Sequence, residues 1–129
     1  MNKIAVCITG EMRYWEITKH IFKDWDVDFF ISTWDTTNRG EDNYPYKFHG
    51  NTNINEDILE TLKPKDYEFL GREYENKNDF HMAKYYYLIY RCNLLKTKYE
   101  MDNNFKYDCV LITRPDIYHD KNLIQNITS

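Results

Sequence analysis

The chain has 129 residues, a formal net charge of −4 and no run of Lys or Arg, so a nonspecific nucleic-acid surface is not expected. Nothing approaches the roughly 18 consecutive apolar residues of a membrane helix, and the opening MNKIAVCITG reads as a strand and not as a signal peptide. Cys7, Cys92 and Cys109 each sit in an apolar run with no Cys-x-x-Cys pair, which points to reduced core thiols in a one-domain cytoplasmic protein and away from zinc.

Residues 4–8 (IAVCI) form a continuous apolar run ended by Thr9-Gly10, the pattern of a buried strand. Residues 13–23 carry Tyr14, Ile17 and Ile21 at helical spacing. Residues 27–32 (VDFFIS) are a second strand candidate that runs into Thr33-Trp34-Asp35. Strand, helix and strand in this order make a βαβ unit, which implies a parallel sheet. A long polar connection with Gly40, Pro45 and Gly50 follows, and Asn55-Glu56-Asp57 can cap a short helix over 57–62 that Pro64 ends.

Residues 67–70 are a third, weaker strand, followed by a second polar connection through Asn78. Over 80–100, one stripe of Tyr86, Tyr90 and Leu94 lies beside another of Leu88, Cys92, Leu95 and Tyr99, which predicts a long, largely buried helix. Residues 108–113 (DCVLIT) are the last strong strand and 122–127 a weak tail. The order is that of an α/β fold throughout, with no internal repeat. An aromatic content of 17% suits a compact core and equally a pocket that stacks on a planar ligand or a sugar ring.

In open α/β sheets, ligands bind beyond the carboxyl ends of the strands. Three strand exits carry suggestive residues. At the first, Thr9-Gly10-Glu11-Met12-Arg13, a glycine after a buried strand permits close backbone approach and Arg13 adds positive charge; the segment either binds an anion or only turns. At the second, Trp34 and Asp35 suit a base and a ribose, or equally a core plug and a loop cap. At the third, LITRPDIYHD, Arg114 can neutralise a phosphate. There Asp116, with Asp120 or His119, can supply the few ligands a divalent cation needs when the substrate brings phosphates; the alternative is a surface ion pair with Asp120 as a cap. Lys84 and Arg91, among the aromatics of the long helix, either reach its solvent edge or face a binding site. No serine or cysteine sits at a nucleophile elbow.

Three segments together resemble GT-A-type glycosyltransferases and their relatives in phages and bacterial surface-polysaccharide clusters. KIAVCITGEMRYW is similar to their opening strand and small-Gly-x-x-Arg turn, and DVDFFISTWD to their second strand ending Thr-Trp-Asp. The stretch YYLIYRCNLLKTKYEMDNNFKYDCVLITRPDIYH resembles the helix that leads into a strand ending Arg-Pro-Asp, and is the most specific of the three. The resemblance implies a Rossmann-like GT-A nucleotide-diphospho-sugar-binding fold, a mostly parallel sheet flanked by helices without the acceptor-binding half, as in minimal cyanophage proteins of this type. It further implies Mn²⁺ or Mg²⁺ and a UDP-sugar donor, with sugar transfer or slow hydrolysis. By this likeness Thr9, Gly10 and Arg13 hold nucleotide or diphosphate, Asp35 contacts the nucleoside, Arg114 supports the diphosphate, and Asp116 stands where the metal-binding Asp-x-Asp motif ends. Arg114 itself occupies the place of that motif's first carboxylate. The acceptor is undefined, a homodimer through an exposed sheet edge is plausible, and a phage-encoded protein of this kind would work in the host cytoplasm.

Overall fold

The computed structural model describes residues 3–10, 14–34, 53–70 and 81–128. They form β1 (Ile4–Gly10), α1 (Trp15–Phe22), β2 (Asp28–Trp34), α2 (Asn53–Leu62), β3 (Asp66–Leu70), α3 (His81–Asn103), β4 (Cys109–Thr113) and α4 (Leu123–Thr128). The four strands make one sheet in the order β3-β2-β1-β4, and every pairing is parallel. This is the expected α/β architecture of a parallel sheet flanked by helices.

The apolar run at the amino terminus becomes the centre of the sheet. β1 is hydrogen-bonded to β2 on one edge and to β4 on the other, and Ile4 through Thr9 are all buried. Its side chains alternate between two cores. Ile4, Val6 and Ile8 pack with Trp15 and Phe22 of α1, Ile58 and Leu62 of α2, and Ile124 of α4. Ala5 and Cys7 face the other way, toward Cys92 of α3, with Phe30 and Tyr107 in the same cluster. Small residues on that side let the long helix lie close to the sheet.

The first helix buries a different face from the one its isoleucines suggest. Trp15, Thr18 and Phe22 point inward while Ile17 is exposed. The Trp15 and Phe22 rings stack 6.5 Å apart, and Trp25 meets Phe22 edge-on at 5.1 Å. Two large aromatic side chains remove more apolar area from water than two isoleucines, and area decides which face turns in.

The long helix also departs from its predicted burial. Leu88 and Cys92 are buried against the sheet, but Tyr86, Tyr87, Tyr90 and Leu94 are exposed. The helix lies on one side of a single sheet, so only one of its two apolar stripes finds a partner there. Lower on the buried side the charged pair Lys96 and Glu100 replaces apolar residues, 2.8 Å apart. Glu100 accepts a second bond from the Tyr107 backbone N–H, so neither carboxylate oxygen is left bare. Burial works to raise the Glu100 carboxyl, and the bonds from Lys96 and Tyr107 outweigh it, so the group titrates below its ordinary range. The weak tail after β4 proves to be α4, with Ile124 as its buried anchor. Among the described residues no helix is long and apolar enough to cross a membrane.

The end of α3 is a full Schellman motif. Asn104 adopts φ 56°, its N–H donates to the Met101 carbonyl, and the Phe105 N–H donates to the Glu100 carbonyl. A β-branched residue there meets the left-handed penalty of about 1–2 kcal/mol. Asn104→Val is therefore expected to lower stability by that amount and Asn104→Gly to preserve it. Urea unfolding followed by circular dichroism checks both, since the midpoint moves while the slope does not.

Candidate functional site

The strand order reverses between β1 and β4, and in sheets of this kind the crevice beyond such a reversal is where ligands bind. Both strands end there in residues singled out by the sequence. Gly10 closes β1 at φ +100°, a region that L side chains rarely adopt, so the backbone itself requires glycine. A Cβ at that position would lie 3.8 and 3.9 Å from Cγ and Cδ of Arg114. These are ordinary contacts. They show that the stem of Arg114 lies across the end of β1.

After β4 the chain crosses this end toward the α1 layer, with Pro115 buried in the crossing. The Arg114 guanidinium donates from Nε to Asp116 Oδ1 at 2.9 Å and from Nη2 to Asp116 Oδ2 at 3.0 Å. The two side chains are not equally placed: Arg114 is 46% exposed and Asp116 14%. The carboxylate lies behind and the guanidinium in front.

His119 occupies the interior side of the same segment. Its Nε2 lies 2.7 Å from Thr113 Oγ1, and its ring packs 5.9 Å from Phe22 and 5.5 Å from Trp25. Burial alone lowers its pKa below the ordinary histidine value. Asp120 caps α4: its Oδ1 accepts from the Asn122 N–H at 2.8 Å and its carbonyl from the Leu123 N–H at 3.0 Å. The Thr9 side chain points into the α3 layer, fully buried, in register with Ser32 on β2. Its Oγ1 has no hydrogen-bond partner among the described residues.

The structure thus joins Gly10 to Arg114 and Arg114 to Asp116, while His119 and Asp120 are engaged elsewhere. Arg13 and Asp35 lie outside the described residues, as does the side chain of Lys84. Asp116, His119 and Asp120, the candidate ligands of a divalent cation, each have a hydrogen-bond partner of their own here. Both Asp116 oxygens accept from Arg114, and of the two His119 ring nitrogens Nε2 meets Thr113 Oγ1 among aromatic rings. Among the described residues no three His, Cys, Asp or Glu side chains gather into a metal-binding group.

One polar cluster near this edge was not legible in the sequence. Ser32 Oγ donates to Glu68 Oε1 at 2.9 Å, and Arg91 donates bidentately to Glu68 at 2.9 and 2.8 Å. Arg91, its side chain 36% exposed at the solvent edge of the helix, thus ties α3 to β3. Burial works to raise the Glu68 carboxyl, and the bonds from Arg91 and Ser32 hold it below the ordinary range. Only the register that sets Ser32 beside Glu68 shows the connection.

Compared with protein-family models, curated proteins and solved structures, the chain matches none.

The buried histidine has a consequence for acid stability. A group whose folded pKa is depressed contributes stability that is present above its unfolded pKa and is lost as pH falls through the folded value. For His119 the loss begins near the ordinary histidine value of about 6.5. Melting temperature is expected to fall between about pH 7 and pH 5, and His119→Gln, which keeps a partner for Thr113 but does not titrate, is expected to flatten that decline. Parallel slopes for the two proteins would show that His119 titrates as freely as an exposed imidazole.

Proposed function

We propose that this chain binds a nucleotide-diphosphate sugar, UDP-glucose or a close relative, at the C-terminal end of β1 and β4, as a small glycosyltransferase-like protein. The observation that carries the reading is the placement of Arg114 across Gly10 where the strand order reverses. A half-exposed guanidinium, anchored on a glycine turn at the ligand-binding edge of a parallel sheet, suits a diphosphate in charge and in geometry. The Arg-Pro-Asp ending of β4 and the Thr-Gly ending of β1 belong to the segments by which the sequence resembles GT-A enzymes, and Gly10 and Arg114 meet at this point.

In the reaction Arg114 would stabilise the diphosphate as it leaves the anomeric carbon, an electrostatic contribution made where negative charge develops. Transfer to an acceptor and slow hydrolysis by water share this step. A second reading, a nucleotide-sugar-binding subunit whose partner supplies the acceptor site, is favoured by the state of Asp116. Its two oxygens accept from Arg114, which leaves it ill-suited to act as a base.

A thermal-shift series with UDP, UDP-glucose, ADP and inorganic phosphate tests the binding. Ligand at 100 times its Kd stabilises by about 2.7 kcal/mol, a rise of several degrees for a domain of this size. UDP and UDP-glucose are expected to produce that rise and phosphate alone much less. No shift with any nucleotide would overturn the proposal. Where binding is seen, NMR of the products separates free sugar from glycoside, and an unchanged donor after hours identifies the binding subunit.

A further inference from the structure

We propose that Asp116 is a positioning residue for Arg114 and not a metal ligand, so that the site meets the charge of its diphosphate with arginine and takes the donor without a divalent cation. The identity of the anion rests on the function proposed above; the arrangement that receives it rests on geometry alone.

Three observations carry the inference. The first is the order in which the two side chains meet solvent. With Arg114 46% exposed and Asp116 14%, a solute approaching from outside encounters the guanidinium before the carboxylate. A doubly charged cation would have to pass a fixed positive charge and displace two charge-assisted hydrogen bonds of 2.9 and 3.0 Å to reach the oxygens. An anion is attracted by that same charge.

The second is what the pair holds together. Arg91 and Glu68 join α3 to β3, and Ser32 adds a bond from β2, so that pair has a structural task. Lys96 and Glu100 are enclosed, and Glu100 secures the Tyr107 backbone. The bond between Arg114 and Asp116 joins residues two apart in one segment and does not itself tie two elements. The effect of their bond is to fix the plane and direction of the guanidinium. The stem is fixed as well, since it lies over the φ +100° glycine that ends β1.

The third is the disposition of the remaining donors. His119 is directed at Thr113 from an aromatic setting, and Asp120 begins α4. No side chain of the segment after β4 is thereby prepared to join Asp116 around a cation. The planar guanidinium, by contrast, matches phosphate oxygens in pairs, and it needs no proton or metal to be charged.

Calorimetric titration of UDP and of inorganic pyrophosphate, each with EDTA and then with Mn²⁺, tests this on the wild-type chain and on Asp116→Asn, Arg114→Ala and Arg114→Lys. Wild type is expected to bind UDP within about twofold of the same affinity in EDTA and in Mn²⁺. Asp116→Asn should weaken UDP about tenfold in both conditions alike, the cost of losing a charged hydrogen-bond partner. Arg114→Ala should lose pyrophosphate, and Arg114→Lys should restore it only in part, because a lysine cannot pair with the carboxylate in two places. A merely structural Asp116 would leave the affinity of the folded variant unchanged. UDP binding that appears only with Mn²⁺ and disappears in Asp116→Asn would overturn the inference while leaving the donor reading intact. Pyrophosphate binding in EDTA without any UDP binding would overturn the donor reading and sustain the arginine site. Absence of both would overturn the two together.

Discussion

Everything at the candidate site depends on the rigidity of one strand end. β1 is hydrogen-bonded along both edges and covered on both faces, by aromatic and aliphatic side chains of α1, α2 and α4 on one side and by α3 on the other. Such a strand cannot shift in register without turning its whole apolar set to the wrong core. Its last residue is therefore a fixed point, and Gly10, by leaving at φ +100°, sets the direction in which the chain departs. Because β4 pairs with β1 in parallel, Arg114 is delivered one residue beyond Thr113, which itself pairs with Ile8. The guanidinium inherits its position from the sheet.

The charged groups of this small domain fall into kinds according to what surrounds them. Lys96 and Glu100 are enclosed, and their bonds are internal to the α3 terminus. Arg91 and Glu68 span two elements at the edge of the same layer. Arg114 and Asp116 face the solvent side of the reversal in strand order. All three are opposite charges within hydrogen-bond distance, so pairing alone distinguishes nothing. Burial and sequence separation do: an enclosed pair spends its charge on stability, while a local pair at a ligand-binding edge keeps one partner turned outward.

Much of the α/β plan was readable because its signals are local. Short apolar runs such as IAVCI and CVLIT, a proline after α2 and a long periodic segment for α3 each report on a few consecutive residues. The faces were read less well. Tyr14, Ile17 and Ile21 have the spacing of a buried stripe, yet Trp15, Thr18 and Phe22 form it, since the choice between stripes depends on the shape of the opposing sheet. In α3 both stripes are apolar, and only the single sheet beneath determines that Leu88 and Cys92 go in while Tyr90 and Leu94 stay out.

The amino-acid sequence by itself determined the alternation of strands and helices, the glycine that ends β1 and the Arg-Pro-Asp composition of the β4 exit. Hydrophobic period and backbone chemistry act over a handful of neighbouring residues, and they leave a direct trace in the order of letters. What the tertiary structure alone decided is the use of those letters. Parallel pairing beside β1 brought Arg114 to Gly10 across more than a hundred positions. The crossing toward α1 turned His119 into a core residue against Phe22 and Trp25 and left Asp116 to Arg114. Whether an aspartate faces a cation or an arginine depends on which neighbour the fold sets within about 3 Å, a distance that spacing along the chain does not encode.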